Sequence, residues 1–435
     1  MNKTLLVNPP SPFLIDERVF QTLGILNIAT QMKNDGQKVD VLDLNGNKDY
    51  ISSVVALQSE YDLIGLTATT PQFHYAHKIL KAIKDKDKDK KVIIGGAHAT
   101  SLYPLRDKRD INIQKIEEFD SIISGEAEAN YELIFNGDKW IDCGINKDME
   151  NLPLPNRDFF DFQTYSYKIN GQNATNVQTQ RGCPGKCTFC SGREIEMYKK
   201  VRSLPPERVI EELDHLNEKY GTTAFMFFDD EFNLNHKRTL ELCDLLEDRD
   251  YTFRSFIRAD YLVKRPEIAE AMAKAGCVEV GAGIESGSEK ILDIIQKQMT
   301  PEINSQAREI MKDAGIRFKA FTILGHPYET LEDISLTEQW LLDNKPDDFD
   351  ITIFQPYPGS KTYNNATPNV NKNFKEYEWD FIGGLFFNKP DYSITPSFYK
   401  GRVGEYTTVV RTPTIDSKTL VEKRDILEKR IRKIL

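Results

Sequence analysis

Cysteine is scarce in this chain, and the scarcity is uneven. Of six cysteines in 435 residues, Cys143, Cys243 and Cys277 stand alone, so the sequence offers no secreted disulfide framework. It has no apolar run approaching the ~20 residues of a membrane helix, and Met1-Asn2-Lys3 leads straight into the strand-like Leu5-Leu6-Val7, with nothing that reads as a secretory leader. A cytoplasmic location is the expectation. Basic excess is missing too: 57 Lys and Arg stand against 67 Asp and Glu, a net charge of -10, which argues against a general nucleic-acid surface. A structured RNA or a peptide substrate stays open. What the chain does have is the composition of a globular protein, 40% hydrophobic and 29% charged. Its length exceeds one ordinary core and predicts two domains with an appendage.

The other three cysteines fall within eight residues. The stretch Gln180-Arg181-Gly182-Cys183-Pro184-Gly185-Lys186-Cys187-Thr188-Phe189-Cys190 spaces them C-x-x-x-C-x-x-C, and Pro184 with Gly185 lets the loop wrap tightly. Three thiolates so close together need a metal. Structural zinc completes its tetrahedron with four protein ligands and no fourth Cys or His is near, so the triad better fits a centre that keeps one position for an exogenous ligand. The spacing, with Phe189 before the third cysteine, resembles the signature of the radical S-adenosylmethionine enzymes. That resemblance implies a four-iron four-sulfur cluster on Cys183, Cys187 and Cys190, with S-adenosylmethionine chelating the fourth iron and being split to a 5'-deoxyadenosyl radical.

The rest of the chain reads as an α/β protein in two alternating halves. Strand candidates at residues 4–8, 38–42, 62–67, 91–94 and 120–123 alternate with helical patterns at 19–34, 51–59, 73–85 and 126–135. They predict a doubly wound, Rossmann- or flavodoxin-like parallel sheet over residues 1–137. Residues 138–173 read as a linker that still packs, given Phe159, Phe160, Phe162, Tyr165 and Tyr167. A second alternation follows at 175–179, 224–228, 253–257, 278–281, 318–323 and 350–354, with helices such as 206–219, 236–246, 266–275 and 302–314. Six βα units over residues 174–363 predict a partial (β/α)6 TIM-like barrel, and the cysteine loop follows its first strand, where barrel chemistry lies. Residues 364–435 form a C-terminal extension closed by a basic amphipathic helix at 417–435, with Leu420, Leu427, Ile431 and Ile434 on its apolar side.

The family resemblance gives each barrel strand end a role. After strand two, Asp229-Asp230-Glu231 offers Asp229 or Glu231 to the amino group of S-adenosylmethionine. Arg258, after strand three, is expected to pair with the methionyl carboxylate. Glu285 and Ser286, in Gly281-Ala282-Gly283-Ile284-Glu285-Ser286-Gly287, are the ribose candidates. In Gly325-His326-Pro327-Tyr328-Glu329-Thr330, Gly325 is expected to make room for adenine, and the resemblance adds Phe189 and Gln355, the latter opening the strand-six pattern Gln355-Pro356-Tyr357-Pro358-Gly359-Ser360, to the S-adenosylmethionine contacts. Taken singly, Asp229 to Glu231 also read as a solvated acidic turn, Arg258 as a surface ion pair and the Gly and Thr positions as helix caps.

The N-terminal half resembles the cobalamin-binding domain of the cobalamin-dependent branch of the same enzymes. Its strand ends carry Pro9, then Thr67 and Thr69, then Gly95, Gly96 and His98, then Gly125 and Glu126, and the resemblance implies that the small residues admit the nucleotide tail of cobalamin. The pattern D-x-H-x-x-G, which would supply a lower His ligand to cobalt, is absent from the first loop, Asn8-Pro9-Pro10-Ser11-Pro12-Phe13. His98 is expected as a hydrogen-bond donor to backbone or a corrin amide. The remaining cysteines are too few for a second cluster, unlike the related methylthiotransferases. The expected activity is methyl transfer to an unactivated carbon of a small-molecule or peptide substrate, with flavodoxin or ferredoxin as reductant. A cyclisation or rearrangement, a cobalamin-free N-terminal domain, and a non-catalytic corrinoid or metal sensor are the alternatives.

Overall fold

Short apolar runs in the first third of the chain form one parallel sheet. The computed structural model describes residues 3–369, 378–394 and 404–434. Strands β1 (Lys3–Asn8), β2 (Lys38–Asp43), β3 (Leu63–Thr67), β4 (Lys91–Gly95), β5 (Ser121–Ser124) and β6 (Trp140–Asp142) lie in the order β2-β1-β3-β4-β5-β6. All five pairings are parallel, so every strand ends at the same edge, and the order reverses between β1 and β3. Helix Phe73–Lys86 covers the sheet by its buried stripe Phe73, Ala76, Ile79, Leu80 and Ile83, the spacing of one helical face.

The differences from the sequence reading have local causes. The helix expected from residue 19 starts at Leu23, because the Thr22 hydroxyl donates to Asn8 Oδ1 at 3.2 Å and ties the entrance to the end of β1. The helix expected at 126–135 is two 3-10 turns, Ala127–Ala129 and Tyr131–Phe135. Asn130 interrupts it by donating its side-chain amide to the Cys143 carbonyl at 2.9 Å, a side-chain bond that competes with helix. The segment expected as linker contributes β6, and its Phe160 stacks on Tyr165 at 6.0 Å between ring centres, within the apolar cluster of Leu6, Ile25 and Leu26.

The chain divides into two units. One is Met1–Tyr167 with Glu194–Met197 and Pro390–Tyr399, and the other is Lys168–Arg193, Tyr198–Lys389 and Lys400–Leu435. In the second unit β7 (Lys168–Ile169) and β8 (Gln172–Val177) form a hairpin at one edge, and β9 (Gln180–Arg181) pairs with β10 (Arg202–Ser203) beside it. Then come β11 (Ala224–Phe227), β12 (Thr252–Ile257), β13 (Cys277–Glu285), β14 (Arg317–Leu324) and β15 (Asp348–Ile353). The order β15-β14-β13-β12-β11-β8-β7 is parallel from β8 to β15 and does not close, which makes an open half-barrel of six βα units. Among the described residues no helix is long and apolar enough to cross a membrane.

A four-stranded antiparallel sheet, β16 (Thr367–Asn369), β17 (Glu378–Phe381), β18 (Leu385–Phe387) and β19 (Val410–Arg411), precedes the last helix, Ser417–Ile431. That helix buries Leu420, Leu427 and Ile431 as expected, but Ile434 lies past its end and is exposed. Its Arg424 is buried instead, donating to the Ile351 carbonyl of β15 at 2.8 Å and lying 4.5 Å from the Tyr406 ring centre. Leu420 is fully buried, so Leu420→Ala is expected to destabilise the second unit by about 2–5 kcal/mol, read by chemical denaturation under circular dichroism.

Candidate metal centre

The cysteine loop hangs from strand ends by its backbone. Thr179 and Gln180 donate their amides to Asp229 Oδ1 at 2.6 and 2.9 Å, and the Thr179 hydroxyl donates to Asp229 Oδ2 at 2.7 Å. Gly182 donates to Asp230 Oδ2 at 2.6 Å, and Cys183 donates to the Tyr198 carbonyl at 2.9 Å. Behind this contact the buried Arg238 gives Nη2 to the Thr179 carbonyl and hydroxyl and Nε to the Leu204 carbonyl. Burial pushes the Asp229 carboxyl up to about 6 against the pull of Arg238. At the far end, Thr188 donates to the Ile295 carbonyl at 2.9 Å and accepts from the amide and hydroxyl of Thr362, both at 3.0 Å.

Between these anchors the sulfurs have room. A Cβ at Gly185 would lie 3.3 Å from Cys183 Sγ, 3.9 Å from Cys187 Sγ and 2.9 Å from an Arg258 guanidinium nitrogen, so a side chain there would displace Arg258 and crowd the Cys183 sulfur. Cys183 and Cys187 are half-buried and Cys190 is exposed. Burial raises the Cys183 and Cys187 thiols while Arg258 lowers both, as Lys297 does for Cys187; a metal centre would hold them as thiolates. Among the described residues no three His, Cys, Asp or Glu side chains converge on a single-ion site. A cluster, whose irons are spread over a cube, needs no such convergence.

Beside the loop lies a compact group of charges. Glu231, half-buried, is pushed up to about 7 by burial against the pull of Lys297 and Arg258. Arg258 is buried and donates Nε to Asp260 at 2.8 Å. Lys297, also buried, donates to Glu285 Oε1 at 2.8 Å. Burial alone would lower the Lys297 ammonium, yet Glu285, Cys187 and Glu231 outweigh it and hold it above its ordinary range. The backbone is bent to deliver this pair: Glu285 has φ 63°, and Gln296 and Gln298, on either side of Lys297, have φ 56° and 59°. Non-glycine residues in that region are uncommon and cluster where structure forces them. Gly283 leaves the space the pair fills, since a Cβ there would meet Glu285 Oε1 and Lys297 Nζ.

Three of the expected co-substrate residues, Glu231, Arg258 and Glu285, are therefore grouped as charges beside the cysteines, and the other five, Phe189 within the loop among them, make different contacts. Asp229 spends both oxygens on Thr179 and Gln180 and cannot face a ligand. The enclosed Ser286 hydroxyl lies 3.2 Å from Thr337 Oγ1 and accepts from Ser288 N at 3.1 Å, which closes the turn instead of reaching a ribose. The space a Cβ at Gly325 would enter is filled by Val410, Ile353 and Leu420 at 3.3–3.4 Å, so the glycine admits the chain's own C-terminal segment where adenine was expected. Gln355 is buried beyond β15, its carbonyl accepting from Tyr357 N at 2.9 Å. Phe189 packs on Ile291, Leu292 and Ile295, with the His326 ring centre 5.6 Å away. Sequence reasoning missed Lys297, which no periodicity marks in the turn between helices Glu289–Ile294 and Pro301–Asp313. It also missed Arg238, although that residue shares a helix face with Leu242 and Leu246, a visible charge on an apolar stripe.

In the first unit the strand ends expected to meet cobalamin share one edge. Gly96, with φ 89°, has no room for a side chain: a Cβ would lie 2.6 Å from Thr67 Oγ1 and 2.9 Å from Ala68 N. Gly125 also has positive φ, and its amide donates to Thr100 Oγ1 at 3.2 Å. Gln72, unnoticed in the sequence, spans the point where strand order reverses. It donates to the Pro9 carbonyl at 3.2 Å and the Ser11 hydroxyl at 2.9 Å while accepting from Thr69 N and Oγ1 at 3.0 Å. Thr69, Gly96 and Ala97 are exposed, and Thr67 and Gly95 are half-exposed, leaving an edge of backbone and small side chains that suits a broad flat ligand. Two expectations change. His98 is fully buried with Nδ1 3.0 Å from Thr70 Oγ1, pushed down to about 3 by burial, so it joins two loops beneath the edge and cannot meet a corrin amide there. Glu126 is buried and accepts from Asn146 N at 2.6 Å.

Two measurements follow from these contacts. Asp229→Ala strands Arg238 in the interior and frees the loop entrance; about 3–5 kcal/mol of stability should go, with iron retention after anaerobic reconstitution falling and partly returning in Asp229→Asn. Glu329, whose carboxylate accepts from Gly325 N, is pushed up to about 8 by burial. The folded state thus holds a proton that the unfolded chain releases near its ordinary value, so stability should fall as pH rises from about 4.3 through about 8. Glu329→Gln should flatten that slope in denaturation series across the same range.

Comparison with known proteins follows the same division. A family model described as the radical SAM superfamily matches residues 177–341, and one described as a B12 binding domain matches residues 17–132. An uncharacterized methyltransferase of Pyrococcus horikoshii is 28% identical, with 86% of each chain covered. The anaerobic magnesium-protoporphyrin IX monomethyl ester cyclase of Rubrivivax gelatinosus is 25% identical over 76% of this chain and 62% of its own. In fold, the chain is similar to the radical S-adenosylmethionine methyltransferase TsrM of Kitasatospora setae, with a TM-score of 0.63 at 16% identity over 83% of this chain and 75% of that one. It is also similar to the cobalamin-dependent S-adenosylmethionine radical enzyme OxsB, with a TM-score of 0.64 at 20% identity, where 84% of this chain spans 55% of that one. With a B12-binding domain ahead of a radical S-adenosylmethionine half-barrel, the chain belongs to the cobalamin-dependent radical S-adenosylmethionine enzymes.

Proposed function

We propose that this protein is a methyltransferase that places a methyl group on an unactivated carbon of a small-molecule or peptide substrate. The observation that carries the reading is the juxtaposition, within one unit, of a three-cysteine loop with Glu231, Arg258 and Lys297. Residues 1–137 would hold cobalamin and residues 174–363 the cluster and S-adenosylmethionine. Bound there, these groups supply one-electron cleavage of a sulfonium and a cobalt that carries methyl.

The chain's own residues do the positioning. Cys183, Cys187 and Cys190 would hold the cluster, three thiolates that would supply its protein ligands and leave room for an exogenous one. Glu231, free of the backbone duties that occupy Asp229 and Asp230, accepts from the ammonium of a bound amino acid moiety. Lys297 and Arg258 flank Glu231 and receive the carboxylate, with Glu285 and Asp260 orienting them. The strand-end edge of Thr67, Thr69, Gly95, Gly96 and Gly125 presents backbone to the corrinoid, while Pro9 is buried beneath it with its carbonyl held by Gln72. A one-electron donor such as flavodoxin or ferredoxin and a cytoplasmic setting belong to the same proposal. A cyclisation outcome at this centre is the second reading, favoured by the likeness to the Rubrivivax gelatinosus cyclase.

Anaerobic reconstitution with iron, sulfide, hydroxocobalamin, reductant and S-adenosylmethionine tests it. The expected result is a corrin spectrum retained on the protein, with 5'-deoxyadenosine and S-adenosylhomocysteine formed; loss of the corrin on desalting would overturn the cobalamin assignment. Cys187→Ala is expected to lose the cluster's visible absorbance. Lys297→Met should weaken S-adenosylhomocysteine binding to the cluster-loaded protein by about tenfold, roughly 1.4 kcal/mol, measured by calorimetry.

A further inference from the structure

The inner face of the half-barrel carries two distinct tiers below the cysteine loop. In the lower tier Arg254 pairs with Glu279, Arg317 lies 3.3 Å from Glu279, and Lys319 lies 2.6 Å from Asp348 and 3.4 Å from Asp350. These charges satisfy one another. The upper tier is aromatic. Phe228, Phe256 and Phe321 are all half-buried; the first two rings meet edge to face at 6.3 Å, and the second and third are tilted at 58° with 5.9 Å between centres.

Gly281 makes this wall continuous. It sits on β13, between the strands that carry Phe256 and Phe321, and a Cβ there would lie 2.6 Å from Phe321 Cε2 and 2.9 Å from Phe256 Cδ1. The two rings therefore lean across β13 and meet over its backbone. The alternate residues of these strands behave differently: Phe253, Phe318 and Phe349 are fully buried. A barrel lumen is ordinarily a packed core; here its aromatic tier keeps accessible ring faces because the sheet stays open.

The wall is continuous with the centre above it. Phe256, Gly281 and Phe321 each lie two residues before Arg258, Gly283 and Ile323 on their strands, one inward step of about 7 Å. Gly283 touches the Glu285–Lys297 pair and Arg258 touches the cysteine loop. We propose that this tier seats a planar, apolar π-system in the methyl acceptor, an aromatic or conjugated ring that stacks on Phe256 and Phe321, with the saturated carbon to be methylated held just above it. Ring faces in offset or edge contact favour another π-system over an aliphatic group of equal size. The lower tier is paired within itself, and its Lys319 ammonium lies 5.7 Å from the Phe321 ring centre, so the wall meets a cation from below and a further positive charge on that end of the ligand would be repelled. The inference rests on the radical S-adenosylmethionine reading of the centre above.

Indole and cyclohexanol, one planar and one aliphatic at similar size, test it by ligand-observed NMR titration on the cluster-loaded full-length protein, with S-adenosylhomocysteine binding measured alongside. Saturable indole binding is expected, with cyclohexanol roughly three- to tenfold weaker, the worth of one or two aromatic contacts. Phe321→Ala should weaken indole by a similar factor and Gly281→Leu should abolish its binding, both leaving S-adenosylhomocysteine affinity unchanged. The inference is overturned if indole does not saturate, if the two probes bind alike, or if Phe321→Ala leaves indole unaffected. It is equally overturned if both variants weaken S-adenosylhomocysteine as much as indole, since the wall would then belong to the co-substrate. A wild-type protein that takes up no cluster or binds no S-adenosylhomocysteine defeats the underlying reading instead, whatever indole does.

Discussion

The amides of Thr179, Gln180 and Gly182 carry the cysteine loop, and all three donate to carboxylates on the neighbouring strand end. This contact follows from register. Phe227 lies opposite Val177 where β11 meets β8, so two residues further on Asp229 comes level with Thr179. Buried backbone amides need acceptors, and a loop built from Pro184 and Gly185 cannot supply them from its own regular structure. The strand-two acids supply them, and Arg238 offsets the charge this leaves in the interior. Remove that contact and the sulfurs of Cys183 and Cys187 lose the frame that brings both around Gly185.

A second constraint is the balance of charge beside the loop. Glu231, Arg258, Asp260, Lys297 and Glu285 alternate in sign within a largely buried space, and isolated charges there would be costly to bury. Each cation is held by a carboxylate while still acting on the cysteines and on Glu231. The positive φ values at Glu285, Gln296 and Gln298 show how far the backbone is bent to keep the balance. Gly283 and Gly281, two residues apart on β13, serve different tiers. The first makes space for an ion pair, the second for two rings.

The N-terminal sheet solves the opposite problem, keeping an edge bare. Gln72 ties the first and third loops together from beneath, and His98 with Thr70 ties the third to the fourth. With larger polar groups turned downward in this way, Thr69, Gly96 and Ala97 are left to face out. Backbone and small side chains can approach a large ligand along its whole length, which bulky side chains would prevent.

Much of this was written in local pattern. The C-x-x-x-C-x-x-C spacing, the parallel strands and their order along the chain, and the glycines at strand ends follow from neighbours in sequence, because side-chain periodicity and turn chemistry act over a few residues. The 3-10 turns after Gly125 and the sixth strand at Trp140 did not, since Asn130 and β6 depend on partners outside their own segments. Within the site the sequence named the acids Asp229, Asp230 and Glu231 but could not divide their work. Only the register of β11 against β8 turns the first two toward amides and leaves the third beside Lys297. Gly325 shows the same limit: the missing side chain is visible in the sequence, but what fills the space is Val410 and Leu420, more than eighty residues away along the chain. Sequence alone determined which chemistry this protein can carry, and tertiary structure decided which residues face it, because burial and pairing are settled between strands and not along them.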